Sequence, residues 1–146
     1  MCNTVFIFFF LLVILSDAKA GSVRMADMLM WKRSLRDVES AAAIYEEVLQ
    51  QSPDDLDLQL KLADCLNTIM RIRTHSNTLI IDGLLDTAEN KKVWSMYGEK
   101  ALAFAEKVKE MRPKDVKAVA VHADAYLFST STKGIISAAI AGAASR

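Results

Sequence analysis

An internal repeat is the feature of this sequence that most constrains its fold. Residues 38–66 align without gaps to residues 98–126, 60 positions later, and nine of the 29 aligned residues are identical. The identities include Pro53 and Pro113, and each proline is followed two residues later by an aspartate. Proline cannot continue a helix, whereas aspartate can cap the N-terminus of the next one. The repeat therefore predicts two helix–corner–helix units of the same design.

Apolar residues beyond the first 20 positions recur with a period near 3.6, which is typical of helices that bury one face. Thr87 is expected to cap a further, short helix that contains Val93, Trp94 and Tyr97. Both tryptophans, Trp31 and Trp94, are expected to lie in the core or between repeats. The four apolar stripes are Ala41, Ile44, Tyr45, Val48 and Leu49; Leu56, Leu60, Ala63, Leu66 and Met70; Ala101, Phe104, Ala105 and Val108; and Val116, Val119, Ala123, Tyr126 and Leu127. The chain is therefore predicted to be all-α.

The spacing of small, aromatic and aliphatic residues in the first unit resembles that of the tetratricopeptide repeat (TPR) family. The residues that carry the resemblance are Ala41, Tyr45, Val48, Leu49 and Pro53, followed by Leu62, Ala63 and Leu66 in the next helix. The second copy keeps most of the pattern but departs from it at Ala105, Lys109 and His122. The resemblance covers roughly residues 22–72 and 98–128, and it implies antiparallel helix pairs stacked as a short α-solenoid.

The resemblance also implies a division of residues 21–146 into degenerate repeat units. The first unit spans about 22–55, and the second spans 56–115 with an insertion at about 74–97. The third begins at residue 116 and is incomplete at residue 146.

In this family the first helix of each unit lines a concave groove that binds a protein or peptide partner. The positions that correspond here are Asp57, Leu60, Asp64 and Asn67 in one unit, and Lys117, Ala120, Asp124 and Leu127 in the next. TPR units that clamp a C-terminal carboxylate need Lys and Asn at such positions, whereas this chain places Asp64 and Asp124 at equivalent ones. A partner with basic or amide groups is expected, and the alternative is that both aspartates are ordinary solvated charges.

Charge and motif content argue against several other function classes. Eighteen basic and 18 acidic residues give a formal net charge of zero, which is unlike a protein that binds nucleic acid through a large positive field. His75, His122 and Cys65 stand in no recognisable nucleophile or metal-ligand spacing, and phosphate-binding glycine loops are absent from the sequence. We expect no catalytic site, no cofactor and no metal, with Cys65 as a buried structural thiol.

The first 20 residues resemble a secretory signal peptide. Residues 5–15 are 11 consecutive apolar residues, too few for an ordinary transmembrane helix, and Ala18 and Ala20 provide small residues before a cleavage point at Gly21. The sequence therefore predicts a secretory or extracellular protein, although residues 1–4 contain no Lys or Arg. The alternatives are an uncleaved membrane anchor and an organelle-targeting segment.

The C-terminal residues suggest a second kind of function. Residues 134–144 are almost entirely small or aliphatic, and this composition permits close helix packing. The segment is too short to span a bilayer. The leading hypothesis is a non-enzymatic interaction module. The alternative is an accessory or assembly subunit whose C-terminal helix packs against a membrane protein or a second copy of the chain.

Overall fold

The computed structural model describes residues 2–76 and 87–132, with side chains from residue 17 onward. Within these residues the chain forms five helices and no strand. They are α1 (Cys2–Lys32), α2 (Leu35–Gln51), α3 (Leu56–Arg73), α4 (Ala88–Met111) and α5 (Val116–Ser131). Each helix packs against the next, and α3 also packs against α5. The predicted all-α, TPR-like stacking of helix pairs is confirmed.

The two proline corners have nearly the same backbone geometry. At the α2–α3 corner the N-cap Asp55 has φ −72° and ψ 100°, and at the α4–α5 corner Asp115 has φ −76° and ψ 108°. Asp55 Oδ1 accepts a hydrogen bond from the Leu58 amide, and Asp115 Oδ1 accepts from the Ala118 amide. The 60-residue repeat of the sequence is therefore a repeat of structure.

Helix α4 differs from the expected insertion with a short helix. Thr87 caps it as predicted, accepting a hydrogen bond from the Asn90 amide, but the helix then continues without a break to Met111. Gly98 lies inside this helix at a close approach to α5, since a Cβ there would come within 3.1 Å of the Ser129 backbone. The unit boundaries themselves stay a prediction.

The core contains most of the predicted apolar positions of α2, α3 and α4. Tyr45, Leu62 and Trp94 are among its largest fully buried side chains. The expected stripe on α5 is wrong, since Val116 is 82% exposed and α5 packs instead through Ala118, Val121, Ala125 and Phe128. Helix α5 is apolar on nearly every side, so its sequence period does not determine which face is buried.

Helix α1 runs unbroken through the predicted cleavage point before Gly21. Lys19, on the N-terminal side of that point, donates a hydrogen bond to Ser52 Oγ (2.9 Å) and forms an ion pair with Asp55 (3.2 Å). None of the helices in the described part of the chain is long and apolar enough to cross a membrane. Cleavage of a signal peptide stays a prediction.

Candidate functional site

A groove of about 600 Å³ lies between α1, α3 and the start of α5. An ion pair between Lys61 of α3 and Asp27 of α1 (2.6 Å) links these two helices beside the groove. The lining residues are Asp27, Met30, Trp31 and Arg33 from α1 and its C-terminal end, Asp64, Thr68, Arg71 and Ile72 from α3, and Lys117 from α5. The groove is thus lined by α1, α3 and the first turn of α5.

Two of the eight predicted binding residues, Asp64 and Lys117, line this groove. They form an ion pair with each other, with 3.2 Å between Asp64 Oδ2 and Lys117 Nζ. Asp124 does not line the groove but pairs with the lining residue Arg71 at 2.7 Å. Asp57 pairs with Arg112 and lines a second hollow of about 490 Å³ between α1 and the N-terminal half of α3.

The other four predicted residues lie elsewhere. Leu60 is 6% exposed and Asn67 is 2% exposed, so both pack inside the fold rather than face the groove. The side-chain amide of Asn67 donates a hydrogen bond to the Val121 carbonyl (3.0 Å), which fastens α3 to α5. Ala120 is exposed and Leu127 is half-buried on α5, and neither lines the groove.

Asp64 and Asp124, on which the expectation of a basic or amide-bearing partner rested, are both paired within the chain. Each carboxylate is held by a basic side chain of the neighbouring helix. Among the lining residues there are three cations (Arg33, Arg71 and Lys117) and two carboxylates (Asp27 and Asp64). These ion pairs could not be predicted from the sequence, because they depend on the position of α5 along α3. A single stretch of sequence does not contain that information.

Sequence analysis missed a hydrogen-bonded cluster that joins three helices beside the groove. Tyr45 of α2 donates to Asp27 Oδ1 (2.6 Å), and Lys61 Nζ contacts both oxygens of the same carboxylate (2.7 and 2.6 Å). Partial burial alone would raise the pKa of Asp27, but the bonds from Lys61 and Tyr45 outweigh it and hold this pKa below its usual range. Burial, and then the bond to Asp27, raise the pKa of Tyr45. The carboxylate of Asp27 is therefore already satisfied by partners within the chain.

Trp31 and Arg33 were also missed as site residues. The expectation that Trp31 lies in the core or between repeats is wrong, because it is 82% exposed and lines the groove. Arg33 has a left-handed backbone (φ 54°), which costs a non-glycine residue about 1–2 kcal/mol. Glycine is the usual residue just past a helix C-terminus, so Arg33 brings a guanidinium to the groove at some cost in backbone strain. The only sign of this site in the sequence was the pair of basic residues after Trp31, Lys32 and Arg33. Such a pair is also typical of an ordinary solvated surface.

The residues considered for chemistry lie apart from the groove. Cys65 is fully buried beside the Val38 carbonyl (3.2 Å), and burial raises the pKa of its thiol to about 12, so it is a structural thiol as predicted. His122 stacks on Tyr126, and burial lowers the pKa of its imidazole. In the part of the chain that the structure describes, no group of three or more His, Cys, Asp or Glu side chains is placed to hold a metal ion.

Comparison with known proteins agrees with the fold. No curated protein and no solved structure matches the chain. The model of the tetratricopeptide repeat family matches residues 33–68, a segment that contains α2, the Pro53 corner and most of α3. The chain is thus similar to the TPR family over residues 33–68, and its stacked helix pairs and repeated corner are TPR-like.

Proposed function

We propose that this chain is a non-enzymatic interaction module that binds a peptide segment of a partner protein in the groove between α1, α3 and α5. TPR repeats generally mediate protein–protein interaction, and stacked helical repeats present extended surfaces suited to it. Residues of three helices, α1, α3 and α5, line the groove.

The exposure of Trp31 is the single observation that carries the proposal. A tryptophan that is 82% exposed leaves a large apolar surface in water, and here it stands beside the half-buried Met30 and Ile72 at the groove. Tryptophan and arginine are the residues most enriched among those that dominate binding energy at protein interfaces. The mouth of the groove contains both types, which supports peptide binding at this place.

The proposal is tested by selecting peptides from a random display library on the full chain and measuring their affinity for variants. Trp31→Ala is expected to weaken binding at least about tenfold, because it removes the largest apolar contact. Met96→Ala is the matched control, since Met96 is 68% exposed on α4 and does not line the groove. Peptides that bind both variants as tightly as they bind the parent chain would place the binding surface elsewhere.

The alternative function, an accessory subunit that packs through residues 134–144, concerns residues outside those that the structure describes. It stays a prediction, as does association of two copies through that segment. The secretory or extracellular location also remains a proposal, and it rests on the signal-like residues 1–20. Sequencing the N-terminus of the protein from its native cell checks it, because a retained Met1 would contradict cleavage.

A further inference from the structure

We propose that the groove selects an acidic peptide segment, one that presents carboxylates next to an apolar side chain. This inference rests on the proposed function and adds the chemistry of the ligand. It reverses the sign expected from the sequence, in which two aspartates suggested a basic partner.

The first step is to ask which charges of the groove are still available to a ligand. Asp27 has both carboxylate oxygens in contact with Lys61 Nζ (2.7 and 2.6 Å), and Tyr45 donates to one of them. Asp64 is paired with Lys117. A basic ligand would have to share each carboxylate with the cation that already holds it, so a new contact there would gain less than a contact with an unpaired charge.

The cations of the groove are in the opposite situation. Arg33 is exposed and makes no ion pair or hydrogen bond within the described part of the chain. Arg71 holds Asp124 through one terminal nitrogen, and a guanidinium has five N–H donors in total. The Lys117 side chain is 59% exposed and has three donors, of which Asp64 uses one. Donors therefore remain for carboxylates of a ligand, and Arg33 offers a full positive charge, whereas each of the groove's own carboxylates already has a cationic partner.

The apolar residues define the second half of the ligand. Trp31, Met30 and Ile72 line the same groove as the three cations. An aliphatic or aromatic side chain of the ligand would cover Trp31, and neighbouring Asp or Glu residues would reach the guanidinium of Arg33. Charged contacts of this kind are strongest where an apolar neighbour excludes water.

The shape of the site favours a peptide over other anionic macromolecules. The cations face into a groove between helices rather than forming a flat basic surface suited to a bilayer. The chain has no net charge, which is unlike a protein that depends on neutralising many phosphates. A lipid surface and a nucleic acid are therefore outcomes to be tested rather than parts of the proposal.

The experiment selects short random peptides on the full chain, compares their composition with that of the unselected library, and measures affinities over a range of salt concentrations. Peptides enriched in Asp and Glu around an apolar residue are expected, with affinity that falls as salt rises. Arg33→Gly is expected to weaken binding about tenfold, because glycine keeps the left-handed backbone and removes only the guanidinium side chain. His75→Gly is the matched control: His75 has the same backbone conformation (φ 55°) past the end of α3 and does not line the groove. It should leave affinity unchanged.

Failure of this inference is distinguishable from failure of the proposed function. Selected peptides that depend on Trp31 but are neutral or basic, and that bind the Arg33→Gly variant normally, would overturn the acidic ligand and keep the peptide groove. An absence of any peptide that depends on Trp31 would overturn both. Phosphatidylserine vesicles and poly(U) serve as the other probes. The inference would also be overturned if the vesicles or poly(U) bound more tightly than every acidic peptide and if their binding depended on Arg33.

Discussion

The ion pair between Lys19 and the helix cap Asp55 can be measured, because the second repeat supplies a matched control. Asp55 and Asp115 cap α3 and α5 in nearly the same conformation, but of these two aspartates only Asp55 contacts Lys19, at 3.2 Å. Replacing either aspartate with alanine is expected to cost about 1 kcal/mol of unfolding free energy through the lost cap. Asp55→Ala additionally removes a partly exposed ion pair, whose side chains are 29% and 31% exposed, and such pairs contribute up to about 1 kcal/mol.

A double-mutant cycle isolates that second contribution. Urea unfolding of the Lys19→Ala, Asp55→Ala and combined variants should give a coupling energy of about 0.5–1 kcal/mol at pH 7. The same cycle between Lys19 and Asp115 should give none, because the structure places no contact between them. The N-terminus of each sample is sequenced, since a chain that begins at Gly21 lacks Lys19.

The pH dependence of this coupling has a definite sign. Partial burial alone would raise the pKa of Asp55, but hydrogen bonds from the Leu58 amide and from Lys19 hold it below the ordinary value of 3.8. A carboxyl whose pKa is lowered by folding contributes stability above its unfolded pKa and loses it as the pH falls through its folded pKa. The coupling should therefore persist at pH 5 and vanish in stronger acid. No coupling at pH 7, in a chain shown to retain Lys19, would refute the contact and with it the docking of α1 at this corner.

Three further predictions test the groove, the buried thiol and the core. Asp64→Asn together with Asp124→Asn should strengthen the binding of acidic peptides at low salt, because their basic partners are freed; weaker binding in the same titration would contradict the proposed ligand. Folding raises the pKa of Cys65 from 9.0 to about 12, so its contribution to stability is complete below pH 9 and is lost as the pH rises. The stability difference between the parent chain and Cys65→Ala should thus shrink by about 1.4 kcal/mol per pH unit above 9, and a constant difference in urea unfolding would count against this. Ala63 is fully buried, so Ala63→Trp should overpack α3 and lower the unfolding free energy by about 1–3 kcal/mol or more, whereas an unchanged midpoint would show that the site has room.

Local chemistry made the helix ends of this chain predictable. The corners at Pro53 and Pro113 are determined by a residue that cannot continue a helix and by an aspartate that caps the next one. Both signals lie within four residues of the feature they determine, and the cap at Thr87 is of the same kind. The buried faces of α2 and α3 were predictable for a related reason, since their apolar residues are concentrated on the sides that pack.

Contacts between helices were not predictable in this way, and α5 shows why. The face expected in the core, which includes Val116 and Val119, is exposed, while the opposite face through Val121 and Phe128 is buried. Both faces are apolar, so hydrophobic burial alone does not choose between them. Trp31 presents the same difficulty, because its residue type favours burial and only the position of α1 relative to α3 leaves it at the groove.

The charge of the groove was mistaken because equivalence in a repeat is not the same as adjacency in space. Asp64 and Asp124 are equivalent at the 60-residue period, but the residues that meet across α3 and α5 lie 53 apart: Asp64 meets Lys117, and Asp124 meets Arg71. The difference of seven residues is about two helical turns. It brings each aspartate opposite a basic residue of the neighbouring helix rather than opposite its own counterpart. Arg33, which follows the end of α1, has no acidic partner within the described residues, and it therefore gives the groove an unpaired positive charge.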